Sequence, residues 1–147
     1  MPLHGLRYKV SIHMAKDDFE ISQIKIQTRE LVHSTKCIGY RLAIADKIIT
    51  YCTDTGRCNN ALKLAHQADL FIAECALRKD QDDEGWPHLN PIDAALLAKE
   101  AGVKRLVLTH FDAYNFKSIR ERKLAQIQAR KIFPHCLAAI DNIKIKI

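Results

Sequence analysis

Two hydrophobic periods divide the chain. Residues 19–33, FEISQIKIQTRELVH, alternate through Ile24 and Ile26, the two-residue repeat of a half-buried strand. Ahead of them LRYKVSI reads as a short strand. Beyond them GYRLAIAD and KIITYCTD read as a hairpin that turns at Asp46-Lys47. From residue 58 the repeat lengthens: Ala61, Leu64, Ala65 and Ala68 fall at i, i+3, i+4 and i+7, one face of a helix. DLFIAECAL is an unbroken apolar run of strand length, and the polar loop RKDQDDEGWPHLN follows it. Pro91 opens a second helix, where its missing N–H costs nothing. Ala94, Leu97, Ala98 and Ala101 form that helix's core stripe, and Gly102 its stop. KRLVLTHF reads as another buried strand, residues 118–132 as a long basic helix, and CLAAIDN and IKIKI as closing strands. A β-rich start that passes into strand–helix–strand–helix–strand predicts an α/β protein, with helices on one face of a mixed sheet.

A chain of 147 residues is enough for one domain, taken here as residues 1–147. The net charge of +6 is compatible with an anionic substrate such as RNA or another phosphate ester, although many basic proteins are merely soluble. Arg120, Arg122, Lys123, Arg130 and Lys131 concentrate positive charge on the last helix, where a solvated face is the ordinary explanation. Five cysteines form no CxxC pair and mostly sit among apolar residues, so they read as buried thiols of a reducing compartment. MPLHGLRYKV holds no apolar stretch of the kind a secretory signal needs, and no apolar run approaches the roughly 18 residues of a membrane span. These features predict a cytoplasmic protein with no membrane partner.

The chemistry-bearing residues fall at strand ends: His33, Asp54, Glu74 and His110. Singly, each has an ordinary explanation. An Asp after a strand commonly forms a turn or caps a helix, and a lone His is commonly just hydrogen-bonded. Glu74 is harder to dismiss, because a carboxylate inside an apolar run needs a partner. Jointly, imidazole and carboxylate donors that each close a separate strand suit a divalent cation such as Zn²⁺, Mn²⁺ or Fe²⁺. There is no phosphate-binding Walker loop, GxSxG elbow, HExxH or GxGxxG to point elsewhere.

From about residue 24 onward, five stretches occur in series: RELVHSTKCIGYRL, IITYCTDTG, LFIAECAL, HLNPIDAALLAKEAGVKRLVLTHF and IFPHCLAAIDNIKI. Together they resemble the C-terminal half of a metallo-β-lactamase-fold hydrolase, in the branch of ribonuclease Z, the tRNA 3′-processing endonuclease, and its phosphodiesterase relatives. The resemblance implies half of an αββα sandwich and a site for two divalent metals, Zn or Mn. On that reading His33 ligates the first metal, Asp54 bridges both, and His110 ligates the second. His88 would stabilise the transition state or donate a proton to the leaving group, and Glu74 would orient His88. The implied reaction is two-metal phosphodiester hydrolysis, in which the metals lower the pKa of an attacking water.

Several features depart from that pattern. The family's HxHxDH motif is absent, since no two of His4, His13, His33, His66, His88, His110 and His135 are separated by a single residue. HLNP and THFDAYN replace the usual His-x-Ser/Thr and TH-x-Ser-x-Arg-Tyr endings, and no tRNA-gripping arm separates GYRLAIAD from KIITYCTD. The last departure favours a generic phosphodiester over tRNA. Three readings follow for the chain as a whole. It is a piece lacking its N-terminal half, a stand-alone half that pairs with itself or another chain, or a non-catalytic relative. A half-sandwich alone would expose a broad apolar sheet face.

Overall fold

A computed structural model describes residues 10, 14, 15, 17–81 and 85–147. Seven strands form one sheet in sequence order: β1 (Asp18–Ile21), β2 (Ile24–Glu30), β3 (Ile38–Ile44), β4 (Lys47–Cys52), β5 (Leu70–Glu74), β6 (Leu106–Thr109) and β7 (Cys136–Ala138). The first four pair antiparallel and the last four pair parallel. Helices α1 (Asn59–Ala65), α2 (Pro91–Ala101) and α3 (Ile119–Arg130) make the three parallel crossovers. Successive crossovers of one hand that advance across a sheet in one direction lay their helices on one face. The expected mixed sheet with helices on one face is therefore observed.

Three local expectations differ from the structure. Residues 19–33 are not one strand: Ser22 and Gln23 take φ of 48° and 67° and fold the run into the β1–β2 hairpin. Both flanks keep the same alternation, so the period alone conceals the turn. The β3–β4 turn uses Ala45-Asp46 in place of Asp46-Lys47, with Ala45 at φ 52° and Ile44 paired to Lys47. IKIKI forms no strand, although its alternation suits one. The strand expected from LRYKVSI lies almost wholly outside the described residues.

The helix stripes match expectation, since Ala61, Leu64, Ala65 and Ala68 of the α1 region are all buried. So are Ala94, Leu97, Ala98 and Ala101 of α2, which ends with Gly102 in the left-handed conformation that glycine tolerates best. Asn90 caps α2 by accepting from the N–H groups of Ile92 and Asp93. Ser118 and Glu121 form a capping box on α3. Alanines let the helices lie close to the sheet, and Gly39 of β3 serves the same end. A Cβ there would stand 2.8 Å from Leu64 Cδ1 and 2.9 Å from Cys52 Sγ. Gly39→Ala is therefore expected to cost about 1–3 kcal/mol of stability by overpacking, measured as a lower urea midpoint at unchanged slope.

The opposite face of the sheet is apolar, open at several antiparallel positions but buried at Leu70 and Val107. One row of register partners runs Phe19, Ile26, Leu42, Ile49 and Leu70, and another runs Tyr40, Tyr51, Ile72, Val107 and Leu137. On this face Ile21, Ile44 and Tyr51 are 57%, 37% and 42% exposed. None of the helices in the described residues is long and apolar enough to cross a membrane.

Candidate metal centre

Topology brings the candidate residues together. Strands β4, β5 and β6 run parallel, so their C-terminal ends share one edge of the sheet. Two antiparallel steps make β2 point the same way as β4. The segments that carry His33, Asp54, Glu74 and His110 thus all leave the sheet at one edge, which is where open α/β sheets place their sites. Backbone contacts tie these segments together. Gly56 donates its N–H to the Val32 carbonyl (2.9 Å), and a Cβ on Gly56 would meet Pro87 Cβ at 3.1 Å. A side chain at position 56 would push apart the loops that carry His33, Asp54 and His88.

His33, Asp54 and His88 offer ligand atoms that all lie within 4.8 Å of one another. His110 stands beside them, with its Nε2 3.0 Å from Asp54 Oδ1. The rings of His33 and His88 are 5.0 Å apart edge to face, and those of His88 and His110 are 6.0 Å apart and stacked. His33 Nδ1 lies 3.3 Å from Thr35 Oγ1, while its buried Nε2 has no hydrogen-bond partner among the described residues. A buried imidazole nitrogen without a partner is costly unless something binds it. This donor set, imidazole and carboxylate around an unpaired nitrogen, fits a divalent cation.

The site has an exposed and a buried layer. Asp54 and His110 side chains are 42% and 44% exposed, whereas Glu74 and His88 side chains are 0% and 1% exposed. Asp54 and His110 also occupy left-handed backbone, at φ 53° and 49°. Asp and His tolerate that region better than most residues, and backbone held there often marks a functional position. Asp54 does not cap α1, whose N-cap is Cys58 with no side-chain cap bond.

In the buried layer both Glu74 oxygens are engaged. Glu74 Oε1 accepts from the Thr55 N–H at 2.5 Å; Oε2 accepts from the Leu89 N–H at 3.2 Å and lies 2.7 Å from His88 Nδ1. Burial pushes the Glu74 carboxyl up to about 7, and the Thr55 and Leu89 N–H groups and the nearby His110 hold it from rising further. Trp86 packs edge-on against His88 with ring centres 4.0 Å apart. Sequence alone does not single out the backbone donors Thr55 and Leu89. The TDTG and HLNP stretches contain them, but nothing in residue type marks a backbone N–H as a carboxylate partner.

Residues 2–111 match the Beta-lactamase superfamily domain. The chain belongs to the beta-lactamase superfamily. It is 29% identical over 106 residues to the probable metallo-hydrolase YhfI of Bacillus subtilis, covering 72% of this chain and 41% of that protein. It is 37% identical over 101 residues to a ribonuclease Z of Ignicoccus hospitalis, covering 67% and 32%. The crystal structure of YhfI superposes with a TM-score of 0.73 at 24% identity, covering 82% of this chain and 48% of that one. The human tRNase Z short form superposes at 0.59 and 30% identity, covering 67% and 40%. The chain thus spans less than half the length of these relatives.

Proposed function

We propose that this chain is part of a metal-dependent hydrolase of phosphodiester bonds, either ribonuclease Z-like or a related phosphodiesterase. The observation that carries the reading is the convergence of imidazole and carboxylate donors from separate segments at one sheet edge. In this reading His33, Asp54 and His110 hold the cation, Zn²⁺ or Mn²⁺. Among the described residues the three donors that lie within 4.8 Å of one another are those of His33, Asp54 and His88, and His110 joins this cluster through Asp54, so the cluster is taken as a place for one ion where the family implies two. A bound divalent ion supplies a lowered water pKa and neutralises charge on the phosphate.

The chain's own residues supply the rest. Asp54 and His110 are open enough for a substrate to reach. His88 is fixed by Glu74 and is assigned to donate a proton to the leaving group. A carboxyl near neutrality beside it makes Glu74 a suitable relay partner. Relatives named ribonuclease Z favour RNA as the substrate class. Five free cysteines suit a reducing compartment, in keeping with a cytoplasmic location.

His88→Gln tests the division of roles. Hydrolysis of a chromogenic phosphodiester is expected to fall by about 10²–10⁴-fold with metal content unchanged. Loss of the metal together with the rate would make His88 a ligand and overturn its assigned role.

The open sheet face supports a second reading. A half-domain of this kind would associate through the rows that include Tyr51 and Ile49, with a copy of itself or with a missing N-terminal half. Solution mass separates the two readings, since a stable homodimer that takes up no Zn²⁺ would favour a non-catalytic association role.

A further inference from the structure

The five basic residues of the α3 region do not behave alike. Arg120, Lys123, Arg130 and Lys131 are exposed, as their sequence pattern suggested. Arg122 instead turns inward. Its guanidinium lies over the ring of Phe111, 5.4 Å from the centroid, and Phe111 directly follows His110. Arg122 Nε is buried and has no hydrogen-bond partner among the described residues. No carboxylate of the described residues pairs with this guanidinium, and the adjacent Glu121 is engaged by Arg78 (2.8 Å) and by the Ser118 N–H (3.0 Å).

Arg78 provides the contrast. It also lies over a phenyl ring, that of Phe116, which packs edge to face on Phe111. Yet Arg78 is paired: its Nη2 donates to Glu121 Oε1 and to the Asn115 carbonyl. It ties the 110–118 loop to β5 and α3. The same loop and the same pair of rings therefore hold one guanidinium that is paired and one that is not. An arginine cannot shed its charge as a buried lysine can, so a half-buried guanidinium is best completed by an anion. The first turn of α3, which carries Arg122, follows the loop that leaves β6 at the metal-site edge, and the capping box fixes it there. A helix's N-terminal turn adds a favourable field for an anion.

We infer that Arg122 is a substrate-binding residue that anchors a phosphate group of the substrate beside His110. The inference deepens the phosphodiester reading and rests on it for the identity of the substrate. A planar guanidinium suits phosphate because two of its N–H groups can engage two oxygens together. The ring of Phe111 backs the guanidinium on one side, and the first turn of α3 carries it.

The test uses the full chain, inorganic phosphate and the side-chain Nε–H resonances of ¹⁵N-labelled arginine. The resonance absent in Arg122→Met is that of Arg122. In the unmodified chain it is expected to shift saturably with phosphate, but not with chloride at equal ionic strength. Phosphate affinity is expected to fall about tenfold or more in Arg122→Met, to recover in part in Arg122→Lys, and to stay unchanged in Arg120→Met. Equal affinity in Arg122→Met would overturn the inference. So would an equal loss in Arg120→Met, which would mean diffuse attraction to a basic helix. Zn²⁺ uptake measured on the same samples separates this result from the metal reading. Phosphate binding at Arg122 without Zn²⁺ uptake leaves the anchor in place and removes the hydrolase. Zn²⁺ uptake with no effect at Arg122 does the reverse.

Discussion

Glu74→Ala is expected to destabilise the chain by about 3–5 kcal/mol, the scale seen when one partner of a buried charged pair is removed. The carboxylate is fully buried and satisfies two backbone N–H groups and one imidazole nitrogen. Removing it strands all three at once, where the loop after β4, the end of β5 and the 85–90 loop meet. The urea midpoint should fall at nearly constant slope. A loss below about 1 kcal/mol would show that water replaces the carboxylate. The same group gives the metal-free chain a pH signature. Its folded value of about 7 lies above its ordinary 4.5, so between these limits the native state holds more protons than the unfolded one. Stability should therefore decline as pH rises from about 4.5 to about 7 and level off above. Glu74→Gln should flatten that slope, and an unchanged slope would assign it to another group.

Asp54→Asn is expected to weaken Zn²⁺ binding by more than about 100-fold, beyond the 10–100-fold typical of groups that only support a ligand. Asparagine keeps the left-handed backbone at φ 53°, so stability should change by less than about 0.5 kcal/mol. Titration calorimetry reads the first quantity and urea denaturation the second. Asp54→Ala adds a strain of roughly 1–2 kcal/mol, because alanine tolerates that conformation poorly. A large collapse in Asp54→Asn with Zn²⁺ affinity retained would make Asp54 a turn former and nothing more.

Much of this arrangement is legible in the sequence because it depends on periodicity and on chain direction. The shift at residue 58 from a two-residue to a helical repeat marks where the antiparallel strands give way to parallel crossovers. A parallel succession then obliges Asp54, Glu74 and His110 to share an edge. The Ser22-Gln23 turn was hidden because neither residue is glycine and the alternation continues through it. The layering of the site was also hidden. His88 sits in a polar loop by sequence, yet its side chain is buried because Glu74 and Trp86 enclose it. Arg122 looks like its basic neighbours until the structure places Phe111 beneath it.

The converging donors of His33, Asp54 and His110 are proposed to hold a cation. Elemental analysis of metal content per chain, after dialysis against Zn²⁺ and removal of excess, tests it most directly. About one Zn²⁺ per chain is expected, and none in Asp54→Asn. A value near zero in the unmodified chain would contradict it and would make His33, Asp54 and His110 an unfilled remnant.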